Sequence, residues 1–353
     1  MTGRLDLRRG VVVAESPLVV EVDGERRTAW ADEVLLGPMR EGDEVIVNAA
    51  ALDLGLGSGG FDVVHVNLSR GLGLSGSAVD RPWDGEMQTD PAAEPHVMKL
   101  NYTSLQHAVE PVEGEAGAKR REIPVAVLPL HGHLAPATWA AGQARPGIRV
   151  GYVQTSGGAL PGSLSRDVAE LRERGLLCGH ITAAPSYGGE HEALSTVGAL
   201  DAAAAALGWD AILVGPGPGI IGSDTELGHG GMAALDSAHA ALSLRQPTIL
   251  SPRLSSSDPR ERHRGLSHHT ATVLDLLLAP VTVAVPEMVE DGGAELASRI
   301  ETAGGGLHHS KFASVELDGY AASGLPTTTM GRSLAEDPLF FAAPLAAGNL
   351  IVC

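Results

Sequence analysis

The sequence predicts an α/β protein with a small N-terminal β-barrel-like domain, followed by a mostly parallel α/β domain with helices on both faces. Three observations carry this expectation. Residues 1–110 move in short β-branched runs broken by turn residues. From Ile123 onward, nearly continuous apolar runs alternate with Ala- and Leu-rich helical segments, the rhythm of a parallel sheet covered on both sides. The length of 353 residues suits two domains, and 44% apolar content supplies core for both.

In the N-terminal part, Val11-Val12-Val13 and Leu18-Val19-Val20-Glu21-Val22 read as strands, and Asp23-Gly24 is a hairpin signal. Ala29-Trp30-Ala31 follows, and the turn Glu41-Gly42-Asp43 leads into Glu44-Val45-Ile46-Val47-Asn48. The Gly-rich stretch Leu54 to Gly60 then delivers the chain into Phe61 to Val66. These elements make residues 1–110 a mostly antiparallel barrel-like domain. Residues 71–96, rich in Gly, Ser, Asp and Pro without periodicity, form a long mobile loop. Residues 111–122 are the linker, and residues 123–353 the α/β domain.

In that second domain the expected strands are Val125–Leu130, Ile148–Val153, Leu177–Thr182, Ala211–Val214, Thr248–Leu250, Val281–Val285 and Ser314–Leu317. Helices are expected over Ala135–Ala144, Leu164–Arg174, His191–Leu207, Met232–Leu242, His269–Leu278 and Ala294–Ala303.

Composition removes several function classes. Acidic residues outnumber basic ones 43 to 25, a formal charge of −18, so a broad nucleic-acid or anionic-membrane surface is opposed by the protein's own field. No apolar run approaches the roughly 18 residues of a membrane span, and the N-terminus lacks a leader's apolar core. Two cysteines, Cys178 and Cys353, provide neither a disulfide framework nor a thiolate metal site. The expected setting is the cytoplasm. A homo-oligomer is compatible with the residues but not decided by them.

Ligands of an open parallel sheet bind beyond the carboxyl ends of its strands, so the chemistry is sought there. After Val153 comes Gln154-Thr155-Ser156-Gly157-Gly158-Ala159-Leu160-Pro161, and after Val214 comes Gly215-Pro216-Gly217-Pro218-Gly219-Ile220-Ile221-Gly222. Exposed amides near Gly157, Gly158, Gly217 and Gly219 suit an anion, although neither loop is a P-loop or a dinucleotide fingerprint. A tight turn is the plainer reading of both. Arg260-Glu261-Arg262-His263-Arg264-Gly265-Leu266-Ser267-His268-His269-Thr270 concentrates three arginines and three histidines in an acidic protein. Ser267 is placed to cap a helix, which puts His268, His269 and Thr270 at its positive end and favours neutral imidazoles fit for proton exchange. Thr329 and Arg332, in Thr327-Thr328-Thr329-Met330-Gly331-Arg332-Ser333, add a hydroxyl and a guanidinium fork for an anion.

His131-Gly132-His133 follows a strand directly, and on an extended backbone both imidazoles point to one side. With His180, His191 or Asp224 they sketch a zinc or manganese site, but no ligand spacing is diagnostic, and the residues assign no metal. Gly-x-Ser-x-Gly is absent, so no serine-hydrolase elbow is indicated. Cys178 lies in an apolar run and reads as a structural thiol.

Together, Gly157 to Pro161, Gly217 to Gly222, His263-Arg264-Gly265-Leu266-Ser267-His268-His269-Thr270, Thr328 to Arg332 with Asp337-Pro338, Asn48 with Leu54 to Gly60, and Met98 to Tyr102 resemble a bacterial family known as domain of unknown function 3866. The resemblance spans nearly the whole chain and implies no activity and no residue roles. The residues themselves lead to an enzyme, a hydrolase or group transferase, acting on a small anionic metabolite. His268 or His269 exchanges the proton, with His131 in reserve, and the cofactor is unknown. Two other readings stay open: a non-catalytic ligand-binding or scaffold protein, and a metal-dependent hydrolase.

Overall fold

The computed structural model describes residues 5–56, 59–70, 97–114, 121–223, 225–287 and 293–352. The loop expected over 71–96, and positions 115–120 of the expected linker, lie outside these described residues. The chain divides into two compact units, Met1–Glu94 and Pro95–Cys353.

The first unit contains β1 (Leu7–Glu15), β2 (Leu18–Val22), β3 (Glu25–Trp30), the one-turn helix α1 (Glu33–Leu36), β4 (Glu44–Asn48), α2 (Ala50–Asp53) and β5 (Asp62–Asn67). The strands close into a barrel in the order β1-β2-β3-β5-β4, with β3 and β5 parallel and the other pairs antiparallel. Period-2 alternation turns Val20, Val22, Val45 and Val47 into the barrel core with Val12 and Val64. Asp23 and Gly24 both take positive φ, 53° and 82°, as a two-residue turn matching the strand twist requires.

The second unit opens with a hairpin, β6 (Val97–Lys99) and β7 (His107–Val109), which the sequence reading grouped with the first domain. Lys99 fixes it to the second unit: its buried ammonium donates to the Thr182 and Ser186 carbonyls at 2.7 and 2.6 Å and pairs with Glu192. Then come β8 (Val125–Val127), α3 (Leu134–Ala144), β9 (Val150–Thr155), α4 (Arg166–Glu173), β10 (His180–Ala183), β11 (His191–Ala193) and α5 (Thr196–Ala205). β12 (Ala211–Pro216), α6 (Ala233–Ser243), β13 (Thr248–Leu250), the short pair β14 (Leu254–Ser255) and β15 (Gly265–Leu266), and α7 (His268–Leu276) follow. The chain ends through β16 (Thr282–Pro286), α8 (Gly293–Thr302), β17 (His309–Ala313), α9 (Leu317–Ala321), the pair β18 (Thr328–Thr329) and β19 (Arg332–Ser333), and α10 (Pro338–Leu350).

Eight of these strands form one all-parallel sheet in the order β11-β10-β9-β12-β8-β13-β16-β17. Alternate residues of one strand face opposite layers. Val125 and Val127 join α5, α6 and α7 in one core, while Ala126 and Leu128 join α3, α4 and α10 in the other. Both faces are therefore covered, as expected. Two of the differences from expectation fall at the sheet's edges. The last strand is His309–Ala313 rather than Ser314–Leu317, and His191 lies in an edge strand rather than opening a helix.

The topology also creates a crevice. From β8 the chain runs outward through β9, β10 and β11, returns to insert β12 between β9 and β8, and then crosses to β13 on the other side. The loops after β8, β12 and β13 therefore diverge at adjacent carboxyl ends, where open parallel sheets bind ligands.

Candidate functional site

A cavity of about 620 Å³ occupies that crevice. The segment after β8 contributes His131 and Gly132, and the start of α4 contributes Asp167. The loop after β12 contributes Pro218 to Gly222, and the approach to α6 contributes His229. Arg253 comes from the segment after β13, and Arg260, Arg262, His263, His268 and His269 come from the α7 approach. Thr328, Thr329 and Met330 complete the wall.

Local chemistry fixes the start of α7. Ser267 is its N-cap and accepts from the His269 amide, and the same hydroxyl shares a 2.7 Å hydrogen bond with His263 Nδ1. Thr270 Oγ1 accepts from the Arg253 amide at 2.8 Å, tying the β13 segment to this helix. Four imidazoles consequently crowd together. The rings of His229 and His269 stack at 3.6 Å, 6° from parallel, and His268 lies 4.4 Å from His269 and 4.8 Å from His263, centroid to centroid.

Arg253 sits behind them, only 3% exposed. Its Nη1 donates to His269 Nδ1 at 3.0 Å, and its Nη2 lies 3.6 Å from Asp258 Oδ2. Burial lowers its pKa to about 10, with Arg260 and Arg332 adding repulsion and Asp258 partly restoring it. Asp258 is fully buried. Burial pushes its carboxyl up, but hydrogen bonds from Arg260 and the charge of Arg332 outweigh this and hold it well below the usual range.

Burial first, then Arg253, lowers the pKa of His263 to about 3 and of His269 to about 2. His229 is lowered by burial, and His268 by burial followed by Arg262. Neutral imidazoles thus face a cavity with cationic walls. Such rings offer lone pairs to a proton or a metal, and N–H groups to an anion. Neither ring nitrogen of His229, nor Nε2 of His268, has a hydrogen-bond partner of good geometry.

Of the residues singled out from sequence, His131, His268, His269, Gly219 and Thr329 line the cavity. Gly157, Gly158, Gly217, Ser267, Thr270 and Arg332 do not line it. The glycines serve a crossing of loops: a Cβ on Gly158 would strike the Gly217 carbonyl, one on Gly157 the Gly230 carbonyl, and the Ala159 amide donates to the Pro218 carbonyl at 2.7 Å. Ser267 and Thr270 support the wall from behind. Arg332 donates to Asp337 at 2.9 Å and to Asp258 at 3.4 Å, so it braces the arginine cluster.

His131 Nε2 lies 2.8 Å from Ser165 Oγ and Nδ1 lies 3.3 Å from the Pro216 carbonyl; burial lowers its pKa to about 4. The sketched His131/His133 metal pair does not form. Residues 131–133 make a 3-10 turn, not an extended strand, and His133 Nδ1 turns to Ser251 Oγ at 2.9 Å. His180 faces Gln154, and Asp224 lies outside the described residues. Among the described residues, His229, His268 and His269 instead bring one ligand atom each within 4.8 Å of one another.

The site residues selected from sequence do not include His229, Arg253 or Asp167. Arg253 follows the strand Thr248–Leu250 by three residues, and His229 stands in Gly228-His229-Gly230-Gly231 before a helix, positions the strand-end criterion covers. Asp167 carries a pKa raised by burial and then by Glu170.

The model of a family described as a protein of unknown function (DUF3866) matches residues 28–348. No curated protein and no solved structure matches the chain.

Proposed function

The chain belongs to the DUF3866 family, whose description carries no reaction, and from the cavity we propose that it is a hydrolase or group transferase acting on a small anionic substrate. The observation that carries this reading is the nearly buried Arg253 guanidinium set among neutral imidazoles in one cavity. A guanidinium desolvated to this degree attracts a carboxylate or phosphate far more strongly than one in water, and its fork orients the group. The imidazole cluster activates the attacking water or hydroxyl, and Arg253 stabilises the negative charge that develops as the bond breaks. Ile220 and Ile221 supply an apolar wall for the remainder of the substrate.

The experiment is a turnover screen over chromogenic phosphate, sulfate and carboxylate esters, together with thermal shifts in methylphosphonate. The reading expects release from one anionic class, reduced about 100-fold or more in His268→Gln, the scale of lost acid–base or nucleophile activation. A thermal shift without turnover on any class favours the ligand-binding alternative. The absence of both turnover and a thermal shift would contradict the reading.

A further inference from the structure

We propose that His229, His268 and His269 bind one divalent transition-metal ion of the zinc class, which meets the substrate's anionic group in the cavity. This rests on the reading of the cavity as an anion site and specifies how its imidazoles act: as metal ligands that activate a bound water, not as free bases.

Three independent features lead here. One ligand atom from each ring lies within 4.8 Å of the other two. A tetrahedral zinc site with N–Zn distances of about 2.0–2.1 Å places its nitrogens roughly 3.4 Å apart, so side-chain rotations without a backbone change close the gap. Second, His229 is 8% exposed, yet apart from a contact with the Glu226 backbone neither of its nitrogens has a hydrogen-bond partner of good geometry, and Nε2 of His268 is unpartnered. Buried polar nitrogens are rarely left so, and one metal ion takes up one nitrogen of each ring. Third, the donor set is imidazole alone and opens onto a cavity, the arrangement of a catalytic site with three protein ligands and an open fourth position.

The geometry imposes two conditions. One ion cannot lie in the plane of two stacked rings, so either His229 or His269 turns when metal enters. Arg253 also donates to His269 Nδ1, which puts the ring proton on Nε2; coordination through Nδ1 displaces the guanidinium. The released guanidinium then faces the cavity. Arg253, Arg260 and Arg262 repel a bare dication, so metal and anion bind best together, and by linkage each strengthens the other.

The test uses the full chain stripped with a chelator, titrated with Zn²⁺ by calorimetry and with Co²⁺ by visible absorption. The expected result is one ion per chain, with a cobalt spectrum of the intense four-coordinate, nitrogen-ligated kind. Zinc affinity should rise about five-fold or more in methylphosphonate. His229→Ala and His268→Ala should each lose the stoichiometric ion. No zinc binding, a weak six-coordinate cobalt spectrum, or equal affinity in both variants overturns the proposal. The cobalt spectrum reads on the unaltered chain, so a variant that fails to fold does not block the test. The methylphosphonate thermal shift in chelator separates the two readings. If it persists without metal binding, the anion site stands and the metal site falls; if it also vanishes, both fall.

Discussion

Arg253 Nη1 donates to His269 Nδ1 across 3.0 Å, so a guanidinium fixes the proton of a neutral imidazole on the opposite ring nitrogen. In Arg253→Met the His269 pKa should rise from about 2, because a nearby positive charge is removed, and stay below 6.5, because burial is the larger cause. Histidine-resolved NMR titration measures it; an unchanged value contradicts the assignment. Asp258 keeps Arg260 and Arg332, so the fold should persist while the methylphosphonate thermal shift disappears.

Gly158→Ala should destabilise the chain by about 2 kcal/mol or more, the scale of overpacking against backbone that cannot yield. Urea unfolding gives the figure. If the glycine serves loop crossing, folded Gly158→Ala keeps anion binding near wild type; lost binding at unchanged stability would return this loop to the role of anion cradle.

Lys99→Met should cost roughly 3–5 kcal/mol, since it leaves Glu192 and two carbonyls without their shared cation. Hydrogen exchange should then rise first in the hairpin Val97–Val109. A cost below about 1 kcal/mol would show that the ammonium does not hold this hairpin.

Burial lowers the pKa of His131 to about 4 and of His133 and His180 to about 3, from an ordinary 6.5. The unfolded chain binds protons at these sites before the folded chain does. Their stabilisation is complete above about pH 6.5 and is lost as pH falls toward the folded values, by roughly 2 kcal/mol per histidine at pH 5. Urea midpoints should drop steeply between about pH 7.5 and pH 5. Midpoints that hold or rise over that interval would mean these rings are not buried neutral.

The sequence was most legible where one physical rule acts alone. Interior strands such as β12 are buried on both faces, and its Ala211–Val214 reads as an unbroken apolar run, while Ser267 announced its helix through side-chain capping. Edge strands failed that criterion. His309–Ala313 and His191–Ala193 lie at the two ends of the sheet and carry polar side chains, so they lack the expected apolar run. In the site, His268, His269 and His131 were legible as strand-end or helix-start residues. His229 and Arg253 stand where the same criterion applies, before a helix and after a strand, but what singles them out is contacts over 16 to 40 residues of chain. Gly158 and Gly217 misled because a glycine needed for close backbone crossing reads the same as one that cradles an anion.

The most direct measurement is a crystal of the full chain soaked in tungstate, located by its anomalous signal. A peak is expected in the cavity within about 4 Å of the Arg253 guanidinium, in contact with the imidazole cluster. A cavity without a peak, while tungstate occupies other surface sites, would contradict that expectation.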